Sequence, residues 1–387
     1  MKALQIKENI YWVGALDWEL RNFHGYKTQR GSSYNAYLII DEKITLIDSV
    51  KHYLTDEMLK RIRTIIDPSK IDYVICNHSE MDHSGAIPEV MKLAPNATVI
   101  AAPKGIESLK AHYKQNWNFK AVQSGETFST GKHTLSFLLT PMVHWPDNML
   151  TYMPDEKILF SNDAFGQHLA SSEMFDDIYP LDIVMEEARK YYANIVMPYN
   201  SQVRKALEEA KALDIKIIAP SHGVIWRKHL DKIIEEYKKW SSNQTDRKAL
   251  IVYDTMWGST EKMAKAIYEV FEEKGFRVYI FNLQHNHISD IMEELINAEY
   301  ICVGSPTLNK NIMPTVAGFL TYMTGLSPKN RKAIAFGSYG WAAQNIKQIE
   351  TYFAEADFQV IDSYKINYIP GEEQLESIKA ALSEKIN

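Results

Sequence analysis

Cysteine is almost missing from this chain. Two occur in 387 residues, Cys76 and Cys302, each inside an apolar, strand-like run. Such thiols read as buried and inert, and two of them cannot build a pair of CxxC zinc or iron knuckles. Long apolar runs are missing as well. No segment approaches the ~20 residues that a membrane span needs, and Met1-Lys2-Ala3-Leu4 begins no signal peptide. The expectation is a cytoplasmic protein with no membrane partner. Positive charge is not in excess either: the formal net charge is −6, and from Lys248 onward 13 basic residues face 17 acidic ones. That balance argues against nucleic acid and suits a basic protein docking on the C-terminal third. Internal repeats and low-complexity tracts are absent.

What is present is an ordinary globular composition, 45% hydrophobic and 24% charged, on a chain long enough for two domains with separate cores. The first segment alternates apolar runs with polar turns. Ala36–Ile40 and Ile44–Asp48, separated by Asp41-Glu42-Lys43, predict a hairpin. Leu54, Met58, Leu59, Ile62 and Ile65 give helical spacing up to Asp67-Pro68. Further helices are expected at 86–93, 185–197 and 201–212. The polar stretch from Trp240 to Arg247 marks a boundary. This places one domain at residues 1–247 and a second at 248–387. Past it the pattern becomes plain βα alternation: five strand-like runs, each followed by a helical one, predict a doubly wound parallel sheet.

Twelve histidines occur, and those that carry chemistry follow apolar strands. His78-Ser79-Glu80-Met81-Asp82-His83 follows Ile71–Cys76, reading as a strand tip that opens into a ligand loop. His144 lies in a loop after Thr134–Leu139. Asp163 ends the strand at Lys157–Ser161, and His222 follows Ile215–Pro220. The set His78, Glu80, Asp82, His83, His144, Asp163 and His222 offers seven nitrogen and oxygen donors and no thiolate. That exceeds one zinc, whose structural sites close at four ligands, and suits two metals with a carboxylate such as Asp163 placed to bridge. Mixed imidazole and carboxylate donors accept iron or manganese as well as zinc. The remaining histidines, His285 and His287 included, read as surface residues.

The C-terminal third has its own pattern. Thr255-Met256-Trp257-Gly258-Ser259-Thr260 opens a helix after the first strand, where hydroxyls and backbone N–H groups cradle phosphate with help from the helix dipole. No P-loop lysine is present, which argues against a nucleoside triphosphate. Pro306-Thr307-Leu308-Asn309 follows the third strand, and Ser338-Tyr339-Gly340-Trp341 the fourth. Loops at these strand ends form the ligand crevice of a sheet of order 2-1-3-4-5. Trp257 and Trp341 are the flavin-stacking candidates.

The first half resembles the metallo-β-lactamase superfamily, an αββα sandwich with ligands on strand-end loops, and the second half resembles flavodoxin, which binds FMN. Hydrolases of the superfamily carry His-x-His-x-Asp-His, whereas here Glu80 takes the place of the second histidine. With His144-Trp145-Pro146-Asp147, Ser161-Asn162-Asp163 and Ser221-His222-Gly223, the chain resembles the flavodiiron proteins over essentially its whole length. The resemblance implies one iron on His78, Glu80 and His144, a second on Asp82, His83 and His222, and Asp163 as the bridge, with His83 a ligand in some members and not others. It also implies a pocket role for His24 and a supporting tyrosine at Tyr191 or Tyr192.

The function implied is reduction of dioxygen to water or nitric oxide to nitrous oxide. The electrons pass from an external donor (rubredoxin, a reductase or a reduced deazaflavin) through FMN to the diiron centre. The assembly implied is a head-to-tail dimer or a dimer of dimers. Two rivals stand beside this reading: a dinuclear zinc hydrolase fused to a flavodoxin, and an electron carrier whose first half is only a scaffold.

Overall fold

The structure, a computed structural model, describes residues 1–386. The chain divides into two compact units, one of Met1–Tyr191 with Ser201–Lys238, the other of Tyr192–Asn200 with Lys239–Asn387.

In the first unit a seven-stranded sheet runs in the order Leu4–Lys7, Ile10–Trp12, Tyr37–Ile39, Thr45–Ile47, Tyr73–Cys76, Thr98–Ala101 and Asn118–Ala121. Its first four strands pair antiparallel, and the predicted hairpin is there, with Leu38 opposite Leu46. From Thr45–Ile47 onward the pairing is parallel, which requires crossovers; helices Thr55–Ile62 and Ile87–Leu93 lie in two of them. Alternation along the strands sorts the side chains. Leu38, Leu46, Val74 and Val99 pack with Met58, Ile62 and Val90 of those helices. Tyr37, Ile39, Ile47, Ile75 and Ile100 face the other way, into a core shared with Phe137, Met149, Phe160 and Ala219 of a second sheet.

That second sheet has five strands, Thr127–Ser129, Thr134–Leu139, Met149–Met153, Ile158–Asn162 and Ile217–Pro220. Helices Asn200–Ala210 and Leu230–Ser241 flank its outer face, completing an αββα sandwich. Thr134–Leu139 and Ile158–Asn162 both run antiparallel to Met149–Met153, and Ile217–Pro220 runs parallel to Ile158–Asn162. These three strands therefore point the same way, and their C-terminal ends share one edge.

The second unit holds a five-stranded, wholly parallel sheet in the order Arg277–Asn282, Asp246–Tyr253, Ala298–Gly304, Lys332–Tyr339, Gln359–Asn367. Counted along the chain this is 2-1-3-4-5, the order expected from the βα alternation. Its core joins Ile251, Ile267, Phe271, Cys302 and Phe336.

Several local expectations are corrected. The stretch after Cys76 is not wholly a loop, because Met81–Ser84 forms one helical turn that presents Asp82 and His83 from a short rigid piece. The helix expected over 185–197 runs from Leu181 to Tyr191, then widens into a π-helical turn at Tyr192–Val196 and ends in Met197–Tyr199. Pro198 has no N–H to continue an α-helical ladder there. Two helices escaped the sequence reading, Pro103–Tyr113 and Leu230–Ser241. The second was legible as Leu230, Ile233, Ile234, Tyr237 and Trp240 at helical spacing. It reaches Ser241, and the next strand begins at Asp246, so the polar connection is only residues 242–245.

Candidate metal centre and flavin crevice

Four strand ends converge on one buried cluster. His78, Glu80, Asp82 and His83 come from the first sheet; His144, Asp163 and His222 come from one edge of the second. The donors are thus shared by two facing sheets, not aligned along one. Asp163 stands at the centre and its two oxygens face opposite ways. Oδ2 lies 3.2 Å from His144 Nε2 and 3.8 Å from His78 Nε2. Oδ1 lies 3.0 Å from His83 Nε2 and 3.5 Å from His222 Nε2. Glu80 Oε2 completes the first group, 3.3 Å from His78 Nε2 and 3.6 Å from His144 Nε2. Asp82 completes the second, 3.4 Å from His83 Nε2 and 3.3 Å from His222 Nε2.

Ligand atoms bound to one metal at ~2.0–2.2 Å sit roughly 3.0–3.5 Å apart. Six of the eight spacings fall in that range, and the two others, His144 to Glu80 at 3.6 Å and His78 to Asp163 at 3.8 Å, lie just beyond it. Asp82 Oδ1 and both ring nitrogens of His83 are buried without a hydrogen-bond partner. Close approach without hydrogen-bond angles is what donors aimed at a common third point produce. The charges agree: burial pulls His83 down, but Asp82 and Asp163 beside it push it up to about 9. Three clustered carboxylates call for cations, and the residues fit a pair of metal ions.

The supporting contacts fix which nitrogen is offered. His222 Nδ1 donates to the Ser33 carbonyl at 2.8 Å, leaving Nε2 for the cluster. Asp147 lies 3.1 Å from His78 Nδ1 and also accepts from Ser79 N and Oγ, both at 2.7 Å. Asp147 is buried, yet these partners hold its carboxyl down at about 2. Gly223 follows His222 with φ +76°, and a Cβ there would lie 2.1 Å from Gln167 Oε1. That oxygen accepts from Val224 N, so only glycine lets the loop close.

The two candidate tyrosines separate cleanly. Tyr191 donates to Asp163 Oδ1 at 2.8 Å, whereas Tyr192 donates to Asn200 Oδ1. Burial and then the Asp163 charge keep the Tyr191 phenol protonated. His24 Nε2 lies 3.4 Å from Glu80 Oε1, with its side chain 74% exposed.

His168 corrects the surface reading given to the remaining histidines. It is fully buried, its ring centroid 4.8 Å from His222 and 5.1 Å from Tyr191, and its Nδ1 is 2.8 Å from Ser32 Oγ. Burial, then the neighbouring His222, keep it neutral. Its place in the uncharged stretch Phe165–Ala170, five residues past Asp163, was the available signal. Lys51 was also missed. It lies over the rings of Phe23 and Tyr34, and burial lowers its pKa against the pull of Asp82, Asp17 and Glu80.

In the second unit, the C-terminal strand ends enclose a crevice of about 720 Å³. Met256, Trp257, Ser259, Pro306, Thr307, Leu308, Asn309, Ser338, Tyr339, Gly340 and Trp341 line it as expected; Lys310, Ala342, Tyr368 and Ile369 line it too. Tyr368 and Ile369 follow the fifth strand, whose end the sequence reading had not used. Thr255, Gly258 and Thr260 shape the loop and stay out of the lining: Thr255 Oγ1 accepts from Gly258 N at 3.1 Å, and Thr260 Oγ1 lies 3.3 Å from Ser338 Oγ. Helix Ser259–Glu273 begins after Gly258, at φ +82°, with no side-chain cap. Its first N–H groups are therefore free for a phosphate. Trp257 and Trp341 are each 91% exposed. The crevice fits FMN: an uncapped helix start for the phosphate and two aromatic faces for the ring.

A lactamase-like sandwich with a two-metal donor set, joined to a flavodoxin-like sheet with a flavin crevice, defines a metallo-flavoprotein. Comparison with known proteins agrees. Residues 33–223 match the ODP family beta lactamase and residues 251–380 match flavodoxin. The chain is 44% identical over 382 residues to the nitric oxide reductase of Moorella thermoacetica, covering 97% of this chain and 96% of that protein. Its fold matches rubredoxin oxygen:oxidoreductase from Desulfovibrio gigas with a TM-score of 0.97 and 38% identity, covering 100% and 98% of the two chains. It matches the flavodiiron protein of Giardia intestinalis with a TM-score of 0.95 and 36% identity, covering 100% and 96%. The chain belongs to the flavodiiron protein family.

Proposed function

We propose that this protein reduces nitric oxide to nitrous oxide and dioxygen to water, taking electrons from an external donor through FMN to a diiron centre. The balance is two nitric oxide, two electrons and two protons to nitrous oxide and water, or dioxygen, four electrons and four protons to two waters. The observation that carries the reading is the division of Asp163, one oxygen toward each donor group. In this assignment His78, Glu80 and His144 hold one iron; Asp82, His83 and His222 hold the other; Asp163 bridges them. When bound, the cofactors supply electron relay at the flavin and two-metal gas binding at the irons.

The chain's own residues do the rest. Tyr191 keeps its proton and, through it, the orientation of Asp163. His24, exposed and facing Glu80, stands where a proton enters. Phe23 and Tyr34, with Lys51 over their rings, wall the pocket. Ser259 and the uncapped start of its helix take the FMN phosphate, with the rest of the Thr255–Thr260 loop holding them in place, while Trp257 and Trp341 stack on the ring. A zinc hydrolase has no use for Glu80 in place of a histidine or for the flavin crevice.

The finer points belong to the same proposal. Rubredoxin, a reductase or a reduced deazaflavin is the donor, and the acidic C-terminal third suits a basic one. The protein works in the cytoplasm as a head-to-tail homodimer, the flavin of one copy serving the irons of the other. No helix among the described residues is long and apolar enough to cross a membrane. Anaerobic stopped-flow mixing of the reduced protein with each gas tests the function. Flavin reoxidation is expected in the wild type and is lost in Asp163→Ala, which keeps its FMN spectrum. Equal reoxidation in both proteins overturns the diiron reading.

A further inference from the structure

Behind the metal loops lies a second pocket, of about 200 Å³, on the outer face of the second sheet. Its floor includes Leu150 and Leu159 of the strands, its wall Ala206 and Leu207 of helix Asn200–Ala210. One part of its lining belongs to the ligand loops themselves. Val143 directly precedes His144, and Phe165 lies two residues past Asp163. We infer that this pocket takes up a diatomic gas and serves as an antechamber to the metal centre, an inference that rests on the proposed gas reduction.

The chemistry of the lining selects the occupant. An organic substrate needs a few convergent polar groups to fix its orientation; here the lining offers one unpartnered buried hydroxyl, Thr140 Oγ1, and one group alone does not fix an orientation. The Tyr237 hydroxyl is already taken, accepting from Phe165 N at 2.6 Å. The exposed Lys211 and Lys238 pair with Glu208 and Glu235 on their own helices or turns. A buried water needs two to four polar partners, and the apolar inner lining of this pocket, which opens to solvent beside Lys211 and Lys238, offers it few. Dioxygen and nitric oxide are small, uncharged and weak hydrogen-bond acceptors, so they partition from water into such a space. A gas molecule held there is separated from Asp163 by the loop that carries it. The same loop is pinned by the Tyr237 contact and by Gln167, which donates to the Phe165 carbonyl at 2.6 Å. Passage to the metal centre therefore requires the Phe165 ring, packed with its centroid 4.4 Å from that of Tyr237, to swing aside while the loop backbone stays in place.

Xenon tests occupancy independently of turnover. Crystals of the iron- and FMN-loaded protein pressurised with xenon are expected to show density between Phe165 and Leu207. Ala206→Phe, and the milder Ala206→Leu, should exclude it. In steady-state assays the same variants should raise the KM for the gas roughly threefold or more with kcat, iron and FMN content unchanged. No xenon in the wild-type pocket overturns the inference. So does xenon exclusion with an unchanged KM, which makes the pocket a passive void. An acyl chain or other organic molecule retained there in native mass spectrometry also overturns it. A wild type that binds xenon here but turns over neither gas sinks the proposed function and, with it, the antechamber role, while leaving an apolar gas site.

Discussion

Replacing Asp147 with alanine removes one carboxylate and strands three donors. His78 Nδ1, Ser79 N and Ser79 Oγ all reach it, and both Asp147 and His78 are buried. A buried donor left without an acceptor costs about 1–3 kcal/mol, and breaking a buried charged pair costs about 3–5 kcal/mol in all. The three losses share one partner and are not additive, so about 3–5 kcal/mol is the expected destabilisation. The effect on metal is separate and one-sided. Losing a carboxylate that orients a ligating histidine weakens metal binding about 10–100-fold, or about 1.4–2.7 kcal/mol. Asp147 touches His78 and Ser79, not Asp82, His83 or His222.

The metal-free protein should thus still take one equivalent of Fe(II) or Co(II) with wild-type affinity and a second one weakly, in an anaerobic titration against a competing chelator. Asp147→Asn keeps an amide oxygen for Ser79 N–H and should lose less stability while still weakening the site at His78. If both equivalents weaken alike, or neither does, the division of donors into two groups around Asp163 is wrong.

Two further outcomes follow from other parts of the chain. Gly258→Ala places an L residue at φ +82° where nothing crowds a Cβ, so the cost is backbone strain alone; at about 1–2 kcal/mol it should weaken FMN roughly 5–30-fold in a fluorescence titration, and unchanged affinity would mean the loop does not hold the phosphate. Asp41 is drawn up by burial, yet N–H groups of His133, Glu42 and Lys132 and the Thr130 hydroxyl hold its pKa down at about 2. The unfolded value is about 3.9, so the carboxylate's contribution is complete above roughly pH 5 and fades as pH falls toward 2. In urea unfolding of metal-free protein, Asp41→Asn should lie about 1–2 kcal/mol below wild type at pH 7, with a gap that narrows at pH 3; a constant gap would rule the ion out.

Residues near one another in sequence carried their message without the fold. The alternation that makes strands, the donors placed just past strand tips, and five βα repeats are short-range patterns. They were enough to read both domain types and the 2-1-3-4-5 sheet, because local spacing alone sets which face or end a side chain occupies. Glu80 within His78–His83 is of the same kind. Where the reading fell short, the deciding contacts were long-range. Asp147 meets His78 across 69 residues, and Tyr191 meets Asp163 across 28. Two adjacent tyrosines with similar neighbours are indistinguishable until the π-helical turn sends only the first toward the cluster.

His168 looked like any loop histidine, since burial is a property of what closes over a residue. The separation of Asp163's two oxygens required two sheets to face each other, each bringing its own strand ends. Tyr368 and Ile369 entered the flavin crevice because the fifth strand runs on to Asn367 beside the fourth, which extends to Tyr339. Chain order supplied the donors and the sheet classes; the packing of sheet on sheet decided which donors meet, through which atoms, and which neighbours hold their protons.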